Sequence, residues 1–373
     1  MPEDSFDGWG EDPGRARVLV EDSRRRGRGA RSNASGRFEA QQRAETDDGW
    51  GTGEDLPAFK TTVRTDAART VIARNESPDI SFDRSINPYR GCEHGCTYCY
   101  ARPTHCYLGH SAGLDFETQL YAKPNAAELL VAELAKPGYR PATIALGSNT
   151  DPYQPIERRL GITRQILEVL AEARHPVGIV TKSASIVRDI DILSGMAKNG
   201  LVKVALSVTT LDRGLARSME PRASTPAKRL EALRQLHDAG VPTAVMVAPV
   251  IPALNDHEIE AILEAASGAG VCEAGYVMLR LPLEIKDLFR EWLATDYPDR
   301  AKRIIGLIQS MHGGRDYTAE FGLRQRGRGP YADQVARRFQ LALKRFSLNV
   351  RRRELRTNLF RAPTPAGGQF ALF

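Results

Sequence analysis

Short apolar runs alternate with amphipathic stretches from about Ile86 onward, and this alternation predicts strands and helices in turn. Runs rich in β-branched residues favour strands, whereas apolar residues recurring every three or four positions favour helices. Strands are predicted at 85–89, 143–146, 177–181, 202–208, 243–248 and 275–279, and helices near 126–135, 162–173, 186–199, 226–239 and 257–269.

The strand at 243–248 is apolar at nearly every position, as expected of a strand buried on both faces by helices. The chain is therefore predicted to be an α/β protein with a parallel sheet. Six β/α units are too few for a closed eight-stranded barrel, so we expect a (β/α)6 partial TIM-like barrel, open on one side. The predicted domains are a disordered N-terminal tail (1–60), a core (61–283), a helical, basic C-terminal region (284–362) and a short flexible tail (363–373).

Charge is spread unevenly along the 373 residues, whose formal net charge is +6. Between Lys302 and Arg361 there are 15 Lys or Arg residues and 4 acidic residues. Such an excess suits nucleic acid or another phosphate-bearing partner, and a solvated helix face explains it equally well. No stretch is long and apolar enough for a membrane span, and the acidic start is unlike a secretory signal, so a cytoplasmic protein without membrane contact is expected.

Three cysteines lie within eight residues, at Cys92, Cys96 and Cys99. Thiolates are the soft donors that iron–sulfur clusters use, and three of them leave one iron of a four-iron cluster without a protein ligand. The alternative is a structural zinc site completed by His94, His105 or Cys106, in a nucleic-acid-binding protein without redox chemistry. Compact spacing directly after a strand favours the cluster.

Polar residues follow the predicted strands in register, where the loops of a β/α fold converge. The stretches are 147–151 after the second strand, 181–183 after the third, 207–210 after the fourth and 248–252 after the fifth. They predict a cofactor pocket at one edge of the sheet.

The motif Cys92-x3-Cys96-x2-Cys99, with Tyr98 before the last cysteine, resembles the radical S-adenosylmethionine (radical SAM) enzymes. The longer string 87–102, Glu220-Pro-Arg222 and Val247-Ala-Pro-Val250 are similar to the branch related to spore photoproduct lyase. The stretch 147–151 has no cysteine to match that lyase's hydrogen donor, so DNA-lesion repair is not expected.

The resemblance implies a [4Fe–4S] cluster on the three cysteines and S-adenosylmethionine on the open iron. One electron from a donor of the flavodoxin or ferredoxin type would cleave S-adenosylmethionine to a 5′-deoxyadenosyl radical, which abstracts hydrogen in a lyase- or transferase-type reaction. The residues that the resemblance places around S-adenosylmethionine are Tyr98, Asn149, Asp151, Lys182, Ser207 and Pro249. Nucleic acid is favoured slightly over a protein or small-molecule substrate.

Several of these residues also have ordinary structural explanations. Asp151 starts an Asp-Pro turn, and Lys182 would suit a surface position at a strand exit. Glu220 and Arg222 could form a loop salt bridge, while Arg280, after the sixth strand, is either a substrate contact or a surface arginine. Cys106 is expected to be a small buried side chain rather than a redox-active thiol, and Cys272 is expected to be structural.

Overall fold

Parallel strands form the centre of the protein, as seen in a computed structural model that describes residues 19–41, 57–351 and 353–364. The described strands are β1 (Thr62–Thr65), β2 (Ile72–Arg74), β3 (Arg84–Ile86), β4 (Tyr89–Arg90), β5 (Gln119–Ala122), β6 (Ile144–Leu146), β7 (Val177–Thr181), β8 (Val202–Ser207), β9 (Thr243–Val250) and β10 (Glu273–Met278). Seven of them form one sheet in the order β10-β9-β8-β7-β6-β3-β2, in which only β2 is antiparallel to its neighbour. The predicted α/β fold with a parallel sheet is therefore confirmed.

Helices cover this sheet and extend beyond it at the C-terminal side. The described α-helices are α1 (Asp115–Thr118), α2 (Ala126–Leu134), α3 (Glu157–Leu160), α4 (Ile162–Glu172), α5 (Ile190–Lys198), α6 (Arg213–Met219), α7 (Pro226–Asp238), α8 (Ile259–Gly268), α9 (Ile285–Asp296), α10 (Pro298–Met311) and α11 (Pro330–Arg345). Each predicted helix of the core is present, and 184–189 is a 3-10 turn that leads into α5. None of the helices in the described ranges is long and apolar enough to cross a bilayer.

The register of the parallel strands fixes where their ends meet. Ile86 pairs with Leu146, Leu146 with Ile179, and Ile179 with Val204, so one row of side chains runs across four strands. All four are almost wholly buried, and each contributes about 1.5–3 kcal/mol through the burial of apolar area. Because the strands are parallel and aligned, their carboxyl ends lie along one side of the sheet. We call this side, with the residues 147–151, 181–183, 207–210 and 248–252, the carboxyl edge.

The sheet is not closed in the described part of the chain, because its edge strands β10 and β2 do not pair with each other. A second, three-stranded sheet with the order β1-β5-β4 lies beside it and was not predicted. Helix α11 packs on the last strand, where the rings of Phe339 and Tyr276 have centroids 4.7 Å apart. Helix α11 thus belongs to the same hydrophobic cluster as the sheet, whereas α9 and most of α10 belong to a second cluster that includes Cys96 and Tyr98.

The predicted disorder of residues 1–60 is wrong for residues 19–41, which pack against the core. Arg28 is buried and donates to the carbonyl of Glu117 (2.8 Å), while the backbone N–H groups of Gly29 and Ala30 donate to the Glu117 carboxylate (3.0 and 2.8 Å). The side-chain amide of Asn33 donates to the Asp115 carboxylate (2.9 Å) and accepts from the Asp115 backbone N–H (2.9 Å). This segment is ordered by buried polar bonds rather than by large apolar side chains, which is why its composition indicated disorder. Residues 1–18, 42–56 and 365–373 of the predicted tails lie outside the described residues.

Candidate active site

The three clustered cysteines lie on a loop, residues 91–99, that follows the short strand β4; we call it the cysteine loop. Cys92 and Cys96 are buried, and Cys99 is half-buried. Gly91 and Gly95 have φ values of +75° and +68°, which L side chains rarely adopt. A Cβ at Gly91 would also come within 2.8 Å of the Phe116 carbonyl oxygen. These glycines let the chain turn tightly enough to bring the thiols to one side.

A side chain that sequence reasoning missed, Gln154, holds the loop at its first cysteine. Its amide oxygen accepts from the backbone N–H of Glu93 (2.9 Å), and its amide nitrogen donates to the carbonyl of Gly91 (3.1 Å). Gln154 is fully buried, so both peptide groups that flank Cys92 depend on it. The only sequence signal is its position three residues after Asp151, in a loop at the carboxyl edge.

The second cysteine is held by Arg102, which is also wholly buried and was not predicted. Its Nε donates to the carbonyl of Cys96 (2.9 Å), and its Nη2 donates to the Glu117 carboxylate (2.5 Å). That same carboxylate receives the N–H groups of the segment 19–41, so one buried acid ties this segment to the loop. The contact is close, since a Cβ at Gly29 would lie 1.7 Å from the carbonyl oxygen of Gly95.

The thiols fit a cluster better than a single metal ion. In the described ranges no three His, Cys, Asp or Glu side chains converge on one ion position, whereas a four-iron cluster binds each thiolate to a different iron. The fourth ligands considered for zinc do not complete such a site: His94 lies 3.3 Å from Asp151, and Cys106 is buried beside Gly36. His105 stacks on His110, and both of its ring nitrogens are buried without a hydrogen-bond partner among the described residues. Cys272 is exposed at the opposite end of the sheet, just before β10.

Burial leaves the thiols of Cys92 and Cys96 protonated until a metal binds. It raises the pKa of Cys92 well above the usual value and that of Cys96 to about 12. Metal binding must therefore displace protons from buried sulfur, which a positively charged iron centre favours strongly.

Asp151 joins the ends of two neighbouring strands. Its carboxylate accepts from the Thr181 hydroxyl (2.7 Å) and the Lys182 backbone N–H (2.7 Å), and it lies beside His94 of the cysteine loop. Burial alone would raise the pKa of Asp151, but the charge and hydrogen bond of His94, with the bonds from Thr181 and Lys182, lower it to about 2. The Asp151 carboxylate is thus ionised and braces the loop against β7.

A second buried carboxylate, Glu220, ties the loop to the fourth parallel strand. Glu220 accepts from the Tyr98 and Thr209 hydroxyls and forms a buried ion pair with Arg229. Arg229 also donates to the Ser207 carbonyl (2.9 Å). Burial would raise the pKa of Glu220, but the positive charges of Arg229 and Lys182, together with the hydrogen bonds from Arg229 and Thr209, lower it. Neither Arg229 nor its pairing with Glu220 was expected.

The structure brings the predicted cofactor residues to the carboxyl edge. The Lys182 ammonium lies 5.7 Å from the centroid of the Tyr98 ring, and burial of that ammonium is offset by the charges of Cys96 and Glu220, so its pKa is raised. The Asn149 backbone N–H donates to Asn87 (3.0 Å), and its side-chain amide makes no hydrogen bond among the described residues.

Two further predicted residues, Ser207 and Pro249, end the strands β8 and β9. Both belong to the same bonded network, because Asn255 donates to the carbonyls of Pro249 (3.0 Å) and Thr209 (2.8 Å), and Thr209 bonds Glu220. The structure thus places all six predicted cofactor residues along one edge. Their contacts with a cofactor remain predictions.

Comparison with known proteins adds independent findings. Residues 86–266 match the family model of the radical SAM superfamily. An uncharacterised protein of Mycobacterium tuberculosis, Rv2578c, is 38% identical over 236 residues, which cover 62% of this chain and 69% of the relative. An uncharacterised protein of Methanocaldococcus jannaschii, MJ0683, is 30% identical over 173 residues, 46% of this chain and 62% of the relative.

Among solved structures, a spore photoproduct lyase variant with bound AdoMet and dinucleoside spore photoproduct superposes with a TM-score of 0.57. It is 16% identical, and the match covers 76% of this chain and 78% of that one, which is a likeness of fold alone. The family model and the cysteine motif agree. The chain belongs to the radical SAM superfamily, and this membership implies a [4Fe–4S] cluster and S-adenosylmethionine as its cofactors.

Proposed function

We propose that Cys92, Cys96 and Cys99 bind three irons of a [4Fe–4S] cluster, and that the fourth iron takes S-adenosylmethionine. When bound, this pair supplies a one-electron cleavage of the sulfonium that yields a 5′-deoxyadenosyl radical, which abstracts hydrogen from a substrate. The observation that carries the proposal is the loop of three thiols, two buried and one half-buried, that lies beside the carboxyl edge.

The chain's own residues hold this loop rigidly. Gln154 fixes the peptides on both sides of Cys92, Arg102 fixes the carbonyl of Cys96, and Tyr98 is anchored on Glu220. All of these groups are buried, so the loop keeps one geometry and water is kept from its inner face. A fixed loop with an open iron is what a site must offer if it is to orient a second cofactor.

We assign S-adenosylmethionine to the concave side of a (β/α)6 partial barrel, at the carboxyl edge. Lys182 offers a half-buried cation to the carboxylate of the amino acid part, and the side-chain amide of Asn149 is available to its amino group. Tyr98 and Pro249 border the adenine, and Ser207 approaches the ribose. Asp151 acts through its neighbours, because it sets the position of the Lys182 backbone and of His94.

The reducing partner and the substrate belong to the same proposal. A flavodoxin- or ferredoxin-type protein would supply the electron. The arginine-rich last third supports nucleic acid as the substrate class, since positive charge in excess of carboxylates suits a polyanion. A lyase- or transferase-type reaction fits hydrogen abstraction as the first step.

The test uses two single-cysteine variants that differ only in position. Cys96→Ala removes a loop thiol, while Cys272→Ala removes an exposed thiol remote from the loop. Protein purified and reconstituted without oxygen should carry about four irons and four sulfides per chain. With dithionite and S-adenosylmethionine it should release 5′-deoxyadenosine. Cys96→Ala should lose both cluster and product and Cys272→Ala neither. A zinc-containing, colourless wild-type protein would support the structural-zinc alternative instead.

A further inference from the structure

Arg280 lies beside the cysteine loop, and its guanidinium has no carboxylate partner among the described residues. The guanidinium carbon is 5.0 Å from the centroid of the Tyr100 ring, and Tyr100 directly follows Cys99. It is also 5.9 Å from the centroid of the Tyr317 ring, and Nη2 donates to the Tyr317 hydroxyl (3.3 Å). Its Nε is buried and has no hydrogen-bond partner among the described residues.

The neighbouring carboxylate does not neutralise this cation. Asp79 feels the charge of Arg280, but it is held by the side chain of Arg324 and by the N–H of Gly322 (2.6 Å). No described carboxylate lies within ion-pairing distance of Arg280. An anion that accepts a hydrogen bond from the unused donor would stabilise this half-buried guanidinium, because a desolvated charge without a partner is costly in free energy.

The anion must come from a ligand at the carboxyl edge. Lys182 and Arg280 both lie within electrostatic range of the Tyr100 hydroxyl, which donates to the carbonyl of Ser148 at the end of β6. Arg280 therefore faces the site where hydrogen abstraction is proposed. The planar fork of an arginine matches two oxygens of a phosphate, and the contacts of Arg280 with the two tyrosines restrict the position of that fork.

The connection between α10 and α11, residues 312–329, extends the positive surface, and we call it the strap. It reaches both edges of the sheet: Gln325 accepts from the N–H of Met278 in β10, and Gly322 and Arg324 bond Asp79 between β2 and β3. Three strap arginines are exposed and have no ion pair in the described part of the chain: Arg315, Arg326 and Arg328.

Exposed rings accompany these charges. The side chain of Tyr100 is 45% exposed and that of Phe321 on the strap is 57% exposed, which is unusual for rings beside a buried site. Unpaired arginines interleaved with exposed aromatic rings are the surface on which single-stranded nucleic acids bind, with phosphates on the cations and bases on the rings. A small carboxylate ligand would use Arg280 but would leave the strap unexplained.

We propose that Arg280, framed by Tyr100 and Tyr317, binds a phosphate of a single-stranded nucleic acid substrate, whose bases stack on the exposed rings of Tyr100 and Phe321. The inference rests on the proposed function, because it places the substrate beside the cysteine loop. It assigns Arg280 as the residue that selects a phosphate-bearing substrate.

The test is a fluorescence-anisotropy titration of the reconstituted full chain with a short fluorescein-labelled oligodeoxythymidylate at several salt concentrations. Arg280→Gln should weaken binding about tenfold, and the slope of log affinity against log salt should fall by about 0.7 for the lost phosphate contact. Arg280→Lys keeps the charge without the planar fork, so its affinity for the oligonucleotide should lie between those of the wild type and Arg280→Gln. Arg234→Gln, which removes an exposed arginine of α7 with no bond described, should match wild type.

The outcomes separate this inference from the proposed function. Equal affinities and slopes for Arg280→Gln, Arg280→Lys and Arg234→Gln would overturn it, as would a wild-type protein that does not bind the oligonucleotide. Loss of S-adenosylmethionine binding in Arg280→Gln, with oligonucleotide binding unchanged, would assign the anion to the cofactor and also overturn it. Displacement of the labelled oligonucleotide by polyglutamate as readily as by unlabelled oligonucleotide would show that the surface does not distinguish a nucleic acid from an acidic protein, and would also overturn it. Cluster content and 5′-deoxyadenosine release are measured separately, so a failure there does not enter this result.

Discussion

Replacing Gln154 by methionine tests whether a single buried amide holds the cysteine loop. The substitution keeps the length of the side chain but removes both of its bonds, at 2.9 Å to the Glu93 N–H and at 3.1 Å to the Gly91 carbonyl. Each buried backbone group left without a partner costs about 1–3 kcal/mol. The two together should lower the free energy of unfolding by about 2–6 kcal/mol, a large share of the stability of an ordinary domain.

The assay is urea unfolding of the oxygen-free protein, followed by circular dichroism, alongside iron analysis of the same samples. Because the two peptides flank Cys92, the variant should also retain less iron. Gln154→Glu keeps an acceptor for Glu93 but loses the donor to Gly91, so its loss of stability should be smaller. Gln165→Met is the matched control, since Gln165 is exposed on α4. Equal stability and iron content in Gln154→Met and Gln165→Met would refute the reasoning.

Three other positions give predictions: Arg229 and Gly29 pack near the loop, and His175 lies just before β7 at the opposite end of the sheet. Arg229→Met should lower the free energy of unfolding by about 3–5 kcal/mol, because it leaves the Glu220 carboxylate buried without its cation. Adding Glu220→Gln should recover part of this loss. Urea unfolding of the single and double variants measures both effects, and equal free energies of unfolding for the two variants would contradict the prediction. His175 has a pKa lowered to about 4 by burial, and its Nε2 accepts from a tyrosine hydroxyl, so the folded protein binds fewer protons than the unfolded chain below its ordinary pKa of 6.5. This group should therefore lower the free energy of unfolding of the wild type by about 2 kcal/mol between pH 7 and pH 5, a fall that His175→Gln should lack. Parallel plots of the free energy of unfolding against pH for the two proteins would count against a neutral buried imidazole. Gly29→Ala should lower the free energy of unfolding by about 1–3 kcal/mol, because the new methyl group would lie 1.7 Å from the carbonyl oxygen of Gly95. Gly195→Ala in α5 has open space around it and should be neutral or stabilising. Equal unfolding midpoints for the two variants would show that the contact at Gly29 is not tight.

The parallel strands could be predicted because each is a short apolar run bounded by polar loops, and burial on both faces leaves that pattern in the sequence. The strand β9 is an example, with five apolar residues in succession from Ala244 to Ala248 and helices on either side of it in the chain. The small sheet left no such signal. Its strands are two to four residues long, and β1 is largely exposed, so neither length nor alternation marks them.

The cysteines and the polar strand ends could also be predicted, because their chemistry is visible in residue type and spacing. The groups that hold them could not. Gln154 lies 61 residues from Glu93, and Glu220 lies 122 residues from Tyr98, so only the folded chain shows these pairs. The segment 19–41 was missed for the same reason, since its order depends on Glu117, a carboxylate buried 87 residues further along.

The central claim, an iron left open for S-adenosylmethionine by three thiolates, is tested most directly by electron paramagnetic resonance of the dithionite-reduced protein. We expect the signal of a reduced [4Fe–4S] cluster whose shape changes when S-adenosylmethionine is added, because the cofactor binds to that iron. A spectrum that is the same with and without S-adenosylmethionine, or a protein that carries no iron after anaerobic reconstitution, would contradict the account.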